Sequence, residues 1–166
     1  MAIETIIDNN QEYNNKNKES TKNDVDETSS DLRPKILKEY LISKGVAEED
    51  IMVNYTPFGH SDWQTIVADI KAFGSAGKKT GVISTINGDA NVPFYKELGN
   101  VGIDATDIPV VAFSVGEEEL AGLDTGPLVG HLAAWNYFMS ADSEYNESFI
   151  SAWHEFTGDS KRVTND

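Results

Sequence analysis

The chain has 166 residues, 39% of them hydrophobic, and a mean hydropathy of -0.40, which suits one globular domain with a single core. Its net charge of -15 and pI near 4.4 oppose binding to nucleic-acid phosphates and to anionic membrane surfaces. It contains no cysteine, which excludes disulfides, thiolate metal sites and cysteine nucleophiles but fits both reducing and oxidising compartments.

The first 32 residues differ in composition from the rest of the chain. They are acidic and rich in asparagine, with too few apolar side chains to offset the entropy cost of ordering, so we predict a disordered or loosely docked tail over residues 1–32. A basic start followed by an apolar run is missing, so the chain as written has no signal peptide and is expected in the cytoplasm if expressed in this form. No apolar run approaches the length of a membrane helix.

Helix and strand signals alternate from residue 33 onward and predict a single α/β lobe over residues 33–166. Apolar residues at helical spacing, together with glycine stops, predict helices over residues 34–44, from a cap at Ser61 or Asp62 to Gly74, over 93–98, from Glu117, and over 144–157. Apolar, mostly β-branched runs predict strands over residues 51–55, 80–86, 109–115 and 128–134. Strands separated by crossover helices predict a doubly wound parallel sheet flanked by helices.

Polar side chains follow these strands at their carboxyl ends, where open α/β sheets hold small ligands. The predicted ligand-binding residues are Asn87, Gly88, Asp89, Tyr55, Thr56 and Trp135. Asn87 and Asp89 can accept the N–H groups of an amide, while Gly88 lets a ligand approach the backbone. A turn in which Asp89 caps the next helix explains the same residues equally well. For Trp135 the alternative is packing beneath a crossover segment.

Catalytic and metal chemistry find little support in the sequence. His60 and Asp62 have the residue types of an acid–base pair, but a loop and a helix cap explain them more simply. The three histidines fall on three different elements without metal-ligand spacing, so we predict neither a metal site nor a cofactor. No serine elbow or other nucleophile–base pair is recognisable, so we expect the protein not to be an enzyme.

Three segments carry a resemblance to a known family: residues 54–64 (NYTPFGHSDWQ), 84–95 (STINGDANVPFY) and 130–138 (GHLAAWNYF). They resemble the substrate-binding proteins of urea and short-chain amide ABC transporters, which are type I periplasmic binding proteins. The resemblance covers residues 34–166 and corresponds to the second of the family's two α/β lobes. It implies a small, polar, urea-like amide ligand trapped between two lobes by hinge closure.

The resemblance also implies partners and a location. The full-length form is expected to dock on an ABC permease in the periplasm or another extracytoplasmic space. A chain with one lobe offers one wall of the ligand site, so we expect weak ligand capture and a homodimer through the exposed interlobe surface. An amide-sensing regulatory protein of the same fold is the alternative.

In the family, an opening strand precedes the helix that residues 34–44 resemble, and an acidic tail stands in its place here. Without that strand the predicted sheet has a gap beside the strand at residues 51–55. The only apolar group of the tail, residues 3–7, is the candidate to fill it, and the sequence leaves strand, helix and disorder open for this segment.

Overall fold

The computed structural model describes residues 4–8, 29–121 and 123–164. Within these ranges, one sheet is built from the strands β1 (Glu4–Asp8), β2 (Met52–Tyr55), β3 (Gly81–Ser84), β4 (Val110–Ala112) and β5 (Leu132–Ala133). All neighbouring strands pair in parallel, in the order β2-β1-β3-β4-β5. The helices are α1 (Ser29–Ser43), α2 (Gln64–Gly74), α3 (Asn91–Asn100), α4 (Glu117–Leu120) and α5 (Glu144–Thr157). The predicted doubly wound parallel α/β sheet is confirmed.

Strand β1 fills the predicted gap in the sheet. Its backbone pairs with β2 on one side, with Ile6 opposite Val53, and with β3 on the other, with Ile6 opposite Ile83. Of the three states that the sequence left open for this segment, the strand is the one observed for Glu4–Asp8. The remainder of the predicted tail up to residue 28 lies outside the described residues.

Helices cover both faces of the sheet. On one face, α2 and α3 pack against Val82 of β3 and Val110 of β4 in the main hydrophobic core. On the other face, Leu41 of α1 packs in a smaller cluster with Ile83. The fully buried side chains of the main core include Trp63, Val67, Ile70, Val82, Ile86, Phe94, Leu98 and Val110. Coverage on both faces explains why the central strands β3 and β4 are mostly apolar in sequence. No helix among the described residues is long and apolar enough to cross a membrane.

Two helices begin at positions that differ from the prediction. Helix α1 starts at Ser29, five residues before Pro34, so the proline lies inside the helix, where it supplies no N–H to the helical hydrogen bonds. Helix α2 starts at Gln64, with the buried Trp63 in the N-cap position and no side-chain capping bond. The predicted cap by Ser61 or Asp62 is therefore wrong, since burial of the indole sets the start of this helix.

The strand predicted over residues 128–134 is much shorter than expected. A 3-10 turn occupies Gly126–Leu128, and Gly130 has a φ of +94°, a left-handed conformation that interrupts the strand. Nδ1 of His131 accepts the backbone N–H of Val110 at 2.9 Å. A side chain thus takes the acceptor role of a strand carbonyl, and only Leu132–Ala133 remain as β5. His131 is therefore hydrogen-bonded, but it is half-buried and lies outside the strand, just before Leu132.

Candidate functional site

A cavity of about 380 Å³ opens at the carboxyl ends of three strands. Its lining consists of residues that directly follow β3, β4 and β5, together with residues from the first half of α1: Thr85, Asn87, Phe113, Ser114, Trp135, Arg33, Ile36 and Leu37. We call it the carboxyl-edge cavity. Its volume lies in the range of small-molecule pockets.

The position of this cavity follows from the strand order. Strand β1 lies between β2 and β3, and α1 covers one face of the sheet, whereas α3, which follows β3, covers the other. Connections that leave neighbouring strands toward opposite faces open a crevice outside their carboxyl ends. The carboxyl-edge cavity lies beside this crevice, at the edge of the sheet where open α/β folds favour ligand binding.

The lining combines polar side chains of the strand-end loops, which we call the polar wall, with apolar and aromatic side chains. On the polar side, the Ser114 hydroxyl donates a hydrogen bond to Oδ1 of Asn87 at 2.7 Å. Ser114 is 7% exposed and Thr85 is almost fully buried, so both belong to the buried part of the lining. Trp135, which is 38% exposed, offers a planar aromatic surface. Such a site suits a small, planar, polar solute.

Two of the six predicted ligand-binding residues, Asn87 and Trp135, line the carboxyl-edge cavity. Gly88 and Asp89 are exposed and follow Asn87 in the 3-10 turn Gly88–Ala90, in which Gly88 has a φ of +61°. Helix α3 has Ala90 in its N-cap position, without a side-chain capping bond. The alternative role of Asp89 as the cap of this helix is therefore not seen.

The other two predicted residues, Tyr55 and Thr56, lie at the end of β2 and do not line this cavity. Strand β1 separates β2 from β3. Tyr55 is 47% exposed, while Thr56 is 2% exposed and its hydroxyl has no hydrogen-bond partner in the part of the chain that the structure describes. Both residues lie at the carboxyl edge of the sheet, one strand beyond the crevice.

Sequence reasoning missed the residues that α1 and the end of β4 contribute. Ser114 and Phe113 were assigned to the interior of a strand over residues 109–115, whereas β4 ends at Ala112 and leaves both residues at the carboxyl edge. The signal was a serine near the end of an apolar run. The contribution of Arg33 depends on how α1 crosses the sheet, which no local pattern encodes.

The histidines are held by backbone groups. Nε2 of His60 lies 2.7 Å from the carbonyl oxygen of Asp62, and its ring contacts the edge of Trp63 with centroids 4.8 Å apart. Burial lowers the pKa of the His131 imidazole, and the charge of Asp104 opposes this effect. No group of three His, Asp or Glu side chains that could hold a metal ion occurs among the described residues.

Two further cavities lie away from the crevice. One of about 360 Å³ is lined mainly by apolar residues of α3, α4 and β5 and includes Tyr95, whose phenol has its pKa raised to about 12 by burial. The other, of about 530 Å³, lies beside α5. Neither takes side chains from the loop after β3, so neither shares the polar wall of the carboxyl-edge cavity.

Comparison with known families gives one finding. A family model described as a periplasmic binding protein domain matches residues 29–166. The matched region runs from the first residue of α1 and includes all the residues that line the carboxyl-edge cavity. A comparison with curated proteins gives no significant match.

Proposed function

The chain belongs to the periplasmic binding protein domain family, and from this premise we propose that it is the solute-binding part of an ABC transporter for urea or short-chain amides. Membership of the family assigns the chain a solute-binding role and an extracytoplasmic setting, and such proteins typically perform no chemistry on the solute. Permease docking and the amide ligand are the proposed, finer part of this function.

One observation carries the proposal: the lining of the carboxyl-edge cavity combines the hydrogen-bonded pair Asn87 and Ser114 with apolar and aromatic side chains. A primary amide or urea has a planar face, a carbonyl acceptor and N–H donors. Amide and hydroxyl groups of the protein match those donors and acceptors, while the indole of Trp135 matches the planar face.

We expect binding to be weak because the cavity is open on one side. Each hydrogen bond to a neutral group contributes about 0.5–1.5 kcal/mol. Three such bonds give at most about 4.5 kcal/mol. This corresponds to a Kd of about 1 mM, before the entropy cost of ordering the solute and the side chains is subtracted. Micromolar binding needs about 8 kcal/mol and hence contacts from a second wall.

The test is a titration of the isotope-labelled chain with urea, acetamide and, as a charged comparison, acetate, followed by NMR. Acetamide or urea should shift the backbone amides of Asn87 and Ser114 and the indole N–H of Trp135 with a millimolar Kd. Calorimetry with branched amino acids tests whether a larger solute binds instead. A micromolar Kd for any of these solutes would refute weak capture, and preferential binding of acetate would refute the amide ligand.

Two variants localise the binding. Asn87→Ala removes an amide from the polar wall and should weaken acetamide binding roughly three- to tenfold, the equivalent of about one hydrogen bond. Asn100→Ala is the matched control because Asn100 lies at the far end of α3, where its amide donates to Glu97. Equal effects of both variants would contradict the location of the site.

A further inference from the structure

The first residue of α3, Asn91, is fully buried and does not line the carboxyl-edge cavity. Its side-chain Nδ2 donates to the carbonyl oxygens of Ile86 at 3.0 Å, Gly88 at 3.1 Å and Ser114 at 3.4 Å. One amide group therefore connects the loop that follows β3 to the loop that follows β4.

These three carbonyls surround the polar wall of the cavity. Ile86 and Gly88 are the two chain neighbours of Asn87, and Ser114 is the residue whose hydroxyl bonds to Oδ1 of Asn87. Fixing these carbonyls fixes the backbone on both sides of Asn87 and its distance from Ser114. The three backbone contacts of Asn91 thus all lie next to one pair of side chains, Asn87 and Ser114.

Helix capping does not explain this arrangement. An asparagine that caps a helix uses its side-chain oxygen to accept a backbone N–H. Here Oδ1 of Asn91 has no hydrogen-bond partner within the described ranges. Rotating the amide by half a turn would place this oxygen against three carbonyl oxygens, so the geometry itself sets the orientation. An unpaired buried acceptor costs stability, and only the donor side of the amide is used.

We propose that Asn91 is the positioning residue of the solute site. It holds the two strand-end loops so that Asn87 and Ser114 meet the solute as a preformed pair, which spares the solute the cost of ordering them. The part of this inference that concerns affinity rests on the proposed function, whereas the part that concerns loop order does not.

Helix α5 provides a matched control. Asn146 lies in its first turn, is 8% exposed, and donates to the carbonyls of Phe138 at 3.5 Å, Met139 at 2.8 Å and Ala141 at 2.7 Å. It donates to the same number of carbonyls in its own neighbouring loop, and its Oδ1 also accepts the Tyr137 hydroxyl at 2.8 Å. Replacing it by alanine removes a comparable set of hydrogen bonds without touching either loop of the solute site.

The first measurement is backbone NMR relaxation, compared between the wild type, Asn91→Ala and Asn146→Ala. Asn91→Ala should raise the mobility of residues 86–89 and 113–115 together, whereas Asn146→Ala should leave both loops unchanged. Asn91→Ser keeps a shorter donor, leaves a smaller cavity and should give an intermediate effect, which covers the case in which the alanine variant fails to fold. Unchanged order in both loops of the Asn91 variants would overturn the proposal.

The second measurement is acetamide affinity in a double-mutant cycle with Ser114→Ala. Asn91→Ala should weaken binding roughly three- to tenfold, the scale of releasing one ordered side chain. The two effects should be less than additive, because both act through Asn87. Strictly additive effects would overturn the positioning role. If the wild type binds no amide, the proposed ligand fails, while the relaxation data still decide whether Asn91 orders the two loops.

Discussion

Replacing Ile6 by proline tests the finding that the N-terminal strand completes the sheet. Ile6 is the middle residue of β1, and its backbone lies between Val53 of β2 and Ile83 of β3. Proline has no N–H, so Ile6→Pro removes one ladder hydrogen bond and leaves its partner carbonyl unpaired inside the sheet. The unpaired group costs about 1–3 kcal/mol.

For a chain of this size, 1 kcal/mol lowers the Tm by about 2–4 °C, so we expect Ile6→Pro to lower it by about 2–12 °C. Glu4→Pro is the matched control because Glu4 is the first residue of the strand and pairs with Gly81 alone. Proline is tolerated there, and the change should stay within about 0.5 kcal/mol. Calorimetric melting curves of both variants provide the measurement. Indistinguishable curves for Ile6→Pro and the wild type would refute the central position of β1.

Burial lowers the pKa of His131, so below about pH 6.5 the unfolded chain binds more protons than the folded chain. The free energy of unfolding should therefore decrease as the pH is lowered through this range. His131→Asn retains an acceptor for the Val110 N–H and should abolish this dependence in melts between about pH 7 and about pH 5, and an unchanged dependence would exclude His131. Tyr95, with a pKa of about 12, should ionise last in an alkaline absorbance titration, and the late phase should vanish in Tyr95→Phe. Its stabilising effect is lost as the pH rises from about 10. Trp63, which is 1% exposed and in edge contact with Phe94 at 5.1 Å, should cost about 3–5 kcal/mol on replacement by alanine, measured by guanidinium unfolding. A cost below about 1 kcal/mol would show that Trp63 is not a core anchor.

The sequence predicts elements well where a local pattern is strong. The last helix is confirmed with its predicted bounds, Glu144–Thr157, because a serine cap, a helical run and a left-handed glycine mark both ends. Strand β1 is different. A short apolar segment within a long polar tail has no local signal that separates strand from helix, and its pairing depends on two strands more than forty residues away. Long-range pairing decides this element.

The same distinction applies to the site. Asn87 was predicted because a polar residue directly follows a buried strand, and it lines the carboxyl-edge cavity. Ser114 was missed because its apolar neighbours extended the predicted strand beyond its end at Ala112. Asn91 was missed because its role depends on three carbonyls, one of which lies 23 residues further along the chain. Residue type and spacing identify the rim of a site more easily than the residues that hold it in place.

The fold and the proposed solute site depend on different parts of this chain. The core around Trp63 and Phe94 lies on the face of the sheet opposite α1, whereas the cavity opens on the α1 side, where Ile36 is 60% exposed. Solute contacts can therefore change through α1 and Trp135 while the core stays intact. The link between the two parts is Asn91, which starts a helix of the core and bonds to the loops of the site. A substitution at this residue should therefore affect both stability and binding, whereas Trp63 should affect stability alone.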